Sequence, residues 1–144
     1  MIVQSMEPAL NEVVIKSYDG DYDENGCHHG KAIAHLDNGS VYEGQFKAGF
    51  LHGKGKYTWQ NGTIFEGDFV NNAMTGEGTY TWPDKSTYSG GILNGKRHGS
   101  GKMTIPSGQC YEGEWREGKR HGVGKLFYNS EQTSNYTVRS PSVN

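Results

Sequence analysis

A block of 23 residues recurs along this chain in constant register. It reads YEGQFKAGFLHGKGKYTWQNGTI from Tyr42, FEGDFVNNAMTGEGTYTWPDKST from Phe65, YSGGILNGKRHGSGKMTIPSGQC from Tyr88 and YEGEWREGKRHGVGKLFYNS from Tyr111. An earlier copy starts at Tyr18, with one extra residue before His29. Five copies therefore occupy residues 18–41, 42–64, 65–87, 88–110 and 111–128. A unit this short cannot bury a core by itself, so it has to bury its apolar face against the next copy, which limits the chain to a stacked array. Every glycine lies between Gly20 and Gly124, and every aromatic except Tyr136 lies between Tyr18 and Tyr128. The repeat is thus the fold.

Within each copy the pattern has a period of two, which means strands. The first strand carries an aromatic at its first position (Tyr18, Tyr42, Phe65, Tyr88, Tyr111) and a bulky residue at its fifth (Tyr22, Phe46, Phe69, Ile92, Trp115). A glycine stands between them on the same face. In the second strand the same parity selects Gly53, Gly55, Tyr57 and Trp59, then Gly76, Gly78, Tyr80 and Trp82, and so on. Fourteen of the 17 aromatics fall in these columns, so rings supply most of the apolar area available for folding. Regular glycines among rings predict a bare floor on which each ring lies flat, with Gly53 and Gly76 part of that floor. The expected architecture is all-β: an elongated single-layer antiparallel meander of five hairpins, ten strands and roughly 45–50 Å long at the usual strand spacing.

Turn signals fit. Asn38-Gly39 and Asn61-Gly62 favour tight hairpins, and Pro83 and Pro106 pre-set φ at the equivalent place. The other connection centres on Gly49, Gly95 and Gly118, with Asn72 as substitute. Residues 1–17 form a lead-in segment in which Glu12–Lys16 is expected to add a strand covering the first edge. Residues 129–144, polar and free of glycine, are expected to be poorly ordered and to leave the last edge open.

Hydrophobic residues make up 33% of the chain, with no apolar run near the length of a membrane span. The start MIVQSMEPALNEVV has neither a basic nor an apolar leader region, so a cytoplasmic protein is expected. Residues 1–94 carry 12 acidic and 6 basic side chains, whereas 95–125 carry 3 and 7. Cys27 and Cys110 sit in the first and fourth copies, too far apart to pair.

Reactive constellations are weak. His29, His52, His98 and His121 form a column, but copies two strands apart stand about 10 Å from one another, too far for one ion. Gly99-Ser100-Gly101-Lys102 imitates a phosphate loop without its leading glycine or trailing hydroxyl residue. The acidic column Asp19, Glu43, Glu66 and Glu112 fits a solvated strand face paired with lysines better than acid–base work. No catalytic, metal or cofactor site is expected, and no nucleic-acid partner.

Two surfaces remain as binding candidates. One is the ring-lined face: Tyr42, Phe46, Tyr57, Trp59, Phe65, Phe69, Tyr80, Trp82, Tyr88, Tyr111 and Trp115. The other is a basic edge made by the doubled GKRHG: Lys96, Arg97, His98, Lys119, Arg120 and His121. A one-layer sheet has no enclosed cavity in which to run a reaction, so docking is the expected work.

The pattern Tyr-Glu-Gly-x-aromatic, then Gly, then His-Gly-x-Gly resembles the MORN repeat (membrane occupation and recognition nexus) over residues 18–128. Departures are Ala32, Thr75, Lys85, Ser89 and Ile92, each weakening one column. The entry segment from Pro8 to Gly20, with YTWQNG and YTWPDKSTYSG, further resembles MORN proteins of the radial spoke head. That resemblance implies a non-enzymatic structural protein of the ciliary or flagellar axoneme, partnered by other axonemal or radial spoke proteins. The alternative it implies is a membrane-surface module that binds anionic lipid through its basic loops.

Overall fold

Five strand pairs, one for each copy, follow directly from the alternation. The structure, a computed structural model, describes Glu7, residues 13–128 and the backbone of 135–140. Its strands are β1 (Ile15–Tyr22), β2 (His28–Leu36), β3 (Val41–Lys47), β4 (Phe50–Thr58), β5 (Ile64–Val70) and β6 (Ala73–Thr81). They continue with β7 (Thr87–Leu93), β8 (Lys96–Thr104), β9 (Cys110–Arg116), β10 (Lys119–Phe127) and β11 (Asn135–Ser140). All eleven join one sheet in sequence order, and each neighbouring pair is antiparallel. The single-layer meander expected from the repeat is what forms. No helix long and apolar enough to cross a membrane occurs among the described residues.

Both ends depart from expectation. Ile15 and Lys16 open β1 itself, and Val13 and Val14 lie outside any strand. Glu12 lies outside the described residues. Among the described residues, then, no separate lead-in strand covers the first edge. At the far end β11 pairs with β10, from Gly122 opposite Ser140 to Phe127 opposite Asn135. The last repeat strand is covered, although its covering strand lacks the repeat pattern. Backbone pairing asks only for an open row of N–H and C=O groups, which the sequence columns do not reveal.

The two kinds of connection separate cleanly. Inside copies two to five, the pairs Ala48-Gly49, Asn71-Asn72, Asn94-Gly95 and Glu117-Gly118 all have positive φ, the signature of type I′ turns. Between copies, Gly39, Gly62, Lys85 and Gly108 occupy the positive-φ position after a type I turn. Their N–H groups donate to Leu36, Trp59, Trp82 and Ile105 at 2.9–3.2 Å. Pro83 is the first central residue there, where its fixed φ is favourable.

Each hairpin also has a register shift that sequence parity does not show. Gly44 faces Gly55 and Phe46 faces Leu51, so two extra residues lie on β4. The same offset recurs in the other copies. Gly53 and Gly76 fall in this bulge at φ 86° and 117°. A β-carbon on them would meet Gln45 and Asp68 of the opposite face, with no ring among its nearest neighbours. Their place in the ring floor is therefore corrected: they are glycine because of backbone conformation. The floor is formed by Gly55, Gly78, Gly101 and Gly124, over which lie the rings of Tyr42, Phe65, Tyr88 and Tyr111.

Candidate functional site

The rings on this face interlock across copies. The ring at position one meets, edge to face, the position-five ring of the next copy: Tyr18 with Phe46, Tyr42 with Phe69 and Tyr88 with Trp115, at centroid distances of 5.1–5.4 Å. This is the favoured quadrupole geometry. A second row runs Tyr57, Trp59, Tyr80, Trp82 through centroid steps of 4.6, 6.1 and 5.2 Å.

The position-one tyrosines add a polar tie that the sequence did not suggest. The hydroxyls of Tyr18, Tyr42, Tyr88 and Tyr111 each donate to the carbonyl three residues on, namely Asp21, Gln45, Gly91 and Glu114, at 2.5–3.1 Å. Those carbonyls lie beside the register shift. Burial raises the hydroxyl pKa values of Tyr42, Tyr80 and Tyr111, and pushes that of Tyr88 up to about 12. The cause is the cost of a phenolate away from water.

All eleven residues expected to receive a partner on the ring-lined face lie on one connected core, each 7% exposed or less. Their rings mainly hold neighbouring copies together.

The hairpin turns form a ladder along one margin of the sheet. The N–H groups of Gly49, Asn72, Gly95 and Gly118 donate to the carbonyls of His28, Leu51, Met74 and Arg97, each in the preceding copy, at 2.8–3.1 Å. The acceptors define a column that continues to Arg120. Leu51 and Met74 are fully buried in it. Arg97, the fourth of these acceptors, is also buried, at 7% exposure. It stands across from Ile92, where other copies place a ring.

Arg97 therefore points onto the ring-lined face. Its guanidinium carbon lies 4.6 Å from the Trp115 ring centroid and 5.6 Å from that of Trp82, within cation–π range. Its Nη2 donates to the Gly118 carbonyl at 2.7 Å and to Glu7 Oε1 at 3.0 Å. The Arg97 backbone N–H donates to Glu7 Oε2 at 2.8 Å. Both side chains of this ion pair are less than a tenth exposed. A β-carbon on Gly118 would fall 2.8 Å from Glu7 Oε2, so glycine gives the carboxylate its space.

The expected basic edge is thus divided between two faces. Lys96 and Lys119 are exposed on the margin, whereas Arg97 is buried and Arg120 lies 5.3 Å from the Tyr111 ring centroid. His98 and His121 are half-buried. The alternation of strand side chains explains the division, because Lys and Arg are sequence neighbours and must face opposite ways. Arg97 was legible as a departure from the Leu51–Met74 column. Glu7 lies outside the repeat, and nothing in the sequence marked it.

The outer face carries the acidic column in alternation with lysines. Lys56 stands between Glu43 and Glu66, Glu112 stands between Lys102 and Lys125, and Lys54 pairs with Asp68. The Lys54 ammonium holds the Asp68 carboxyl below its ordinary value. A shallow open depression lies between these rows, bordered by Lys102, Glu112, Gly113 and Lys125. The histidine column lies along the turns, where His52 Nδ1 accepts the Asn71 N–H at 3.3 Å. Among the described residues no group of three or more His, Cys, Asp or Glu is placed to hold a metal ion. Cys27 and Cys110 are free thiols.

An open sheet of hairpins, with a carboxylate seated among its rings, defines a repeat-built binding surface. The MORN repeat family model matches residues 42–64, 65–87, 88–110 and 111–133 in succession, and the chain belongs to the MORN repeat family. The first three boundaries coincide with those read from the sequence. The hairpin over residues 18–41 lies outside the match, yet Tyr18 makes the same hydroxyl–carbonyl bond as its counterparts. No curated protein matches the chain. MORN repeats are generally scaffold modules that bind proteins or membranes, and their proteins are typically non-enzymatic.

Proposed function

We propose that this protein is a structural scaffold of the ciliary or flagellar axoneme, of radial spoke head type, and docks a partner protein on the ring-lined side of its sheet. One observation carries the docking part. Glu7 comes from outside the repeat and is seated there by two hydrogen bonds, one of which is also an ion pair. The face accepts a carboxylate that belongs to no strand of the sheet. The axonemal part is supported by the resemblance of residues 8–20, YTWQNG and YTWPDKSTYSG to radial spoke head proteins of the same repeat type.

Affinity purification of the full chain from ciliated cells tests this reading. Enrichment of radial spoke proteins is the expected result. A preparation in which the chain is abundant and spoke proteins stay at background would overturn it. The anionic-lipid alternative draws less from the geometry. Arg97 is already paired with Glu7 and faces the rings, so the exposed cations of the doubled motif are Lys96, Lys119 and Arg120.

A further inference from the structure

We propose that Arg97, its own backbone N–H and the bare Gly118 form a carboxylate socket, closed in cis by Glu7, that takes an acidic side chain of a partner's peptide in exchange. The inference rests on the docking reading above and adds what the face selects.

The column gives the first reason. Leu51 and Met74 show that an apolar side chain fills this position in the same sheet. An arginine placed there is costly to bury unless an anion meets it. Two tryptophans flank the guanidinium, and the Gly118 carbonyl fixes its orientation through Nη2. The arrangement suits a planar, two-oxygen acceptor, and Glu7 fits it with one oxygen on Nη2 and the other on the Arg97 N–H.

The second reason is the origin of the occupant. Glu7 precedes β1 in the sequence and meets β8, seven strands from β1 in sheet order, and it belongs to no repeat. A contact made by a segment before the array competes directly with any peptide that brings its own carboxylate.

The test uses full-length chains and a fluorescent peptide of residues 1–14 as the acidic probe. The wild-type peptide is expected to bind the Glu7→Ala chain at least tenfold more tightly than the wild-type chain, whose socket is already filled. A peptide with Gln at position seven should lose at least tenfold, and the Arg97→Met chain should not bind. Met is chosen because Met74 shows that the column accepts it. Equal binding by wild-type and Glu7→Ala chains, or indifference of the peptide to Gln, would overturn the socket. The peptide substitution is read on the Glu7→Ala chain and needs no change at Arg97, so it decides even if Arg97→Met fails to fold. A wild-type dimer that Arg97→Met dissolves would give the socket to a second copy and overturn the partner assignment. Failure of these binding tests leaves the axonemal reading standing. A working socket without spoke partners would remove only that reading.

Discussion

The ring of Tyr42 lies directly over the α-carbon of Gly55. A β-carbon on that residue would fall 2.4 Å from Tyr42 Cε1, and the phenol cannot retreat because its hydroxyl is bonded to the Gln45 carbonyl. The relationship recurs at Phe65 over Gly78, Tyr88 over Gly101 and Tyr111 over Gly124. In the first copy Ala32 takes the corresponding strand position, and Tyr18 is only half-buried. The bare floor is thus what lets the ring sink.

Gly55→Ala should therefore destabilise the fold by about 1–3 kcal/mol through overpacking. Gly99 supplies the comparison, since its φ is 77° but nothing lies within 4 Å of the missing β-carbon. Gly99→Ala should lose only the conformational term, about 1 kcal/mol. Urea unfolding of both variants measures the order. A loss at Gly55 no larger than that at Gly99 would mean that the Tyr42 ring yields to the added carbon.

The tyrosine hydroxyls give a second prediction. Tyr42→Phe leaves the Gln45 carbonyl without its side-chain donor and should cost about 1 kcal/mol. The third copy already has Phe65 at this position. Phe65→Tyr should be neutral or stabilising by up to about 1 kcal/mol, because the ring has the same seat over Gly78. Thermal unfolding of the two single variants checks both signs.

Much of this was readable from residue order alone. The columns, the repeat boundaries and the position-one rings over glycine follow from a repeat with period two inside it. The roles of Gly53 and Gly76 did not, because an insertion of two residues leaves the alternation on either side unchanged and re-aims only the residues within the bulge. Arg97 was grouped with Lys96 and His98 because the three are adjacent. Aligning it with Leu51 and Met74 instead would have placed it on the buried side. Glu7 and β11 lie outside the repeat, and no periodicity reports what a backbone edge or a buried guanidinium attracts.

Alkaline pH should unfold the protein in a defined window. Burial raises the pKa of Tyr42, Tyr80 and Tyr111 above the ordinary 10.0 and takes Tyr88 to about 12. Above pH 10 the unfolded chain releases these protons while the folded chain keeps them, so stability falls as pH rises. Below pH 10 both states are protonated and these groups contribute no pH dependence. Denaturant midpoints measured from pH 8 to 12 should stay flat as far as tyrosine is concerned, then drop beyond about pH 10. Ionisation of all nine tyrosines with the β-sheet signal intact would contradict this.

The covered edge predicts how the chain behaves when the cover is removed. Ending the chain at Tyr128 deletes β11 and bares the row of β10 from Gly122 to Phe127. A repeat strand with an open edge pairs with another copy. The shortened chain should show concentration-dependent association by light scattering, where the full chain shows less.

The Glu7–Arg97 pair makes the final prediction, about stability. With Arg97 present, Glu7→Ala removes the partner of a guanidinium that is 7% exposed, and the fold should weaken. With Met at position 97, as at position 74, the same change removes a carboxylate that no longer has a cation to meet. Its effect should then be near zero or stabilising. The four chains form a double-mutant cycle with an expected coupling of about 1–3 kcal/mol. The pair is shielded from solvent, so added salt should reduce the coupling less than it reduces any contribution of the exposed Lys54–Asp68 pair. Additive effects in the cycle would mean that Glu7 contributes nothing through Arg97, and that other contacts, its tryptophans and the Gly118 carbonyl among them, keep the arginine buried.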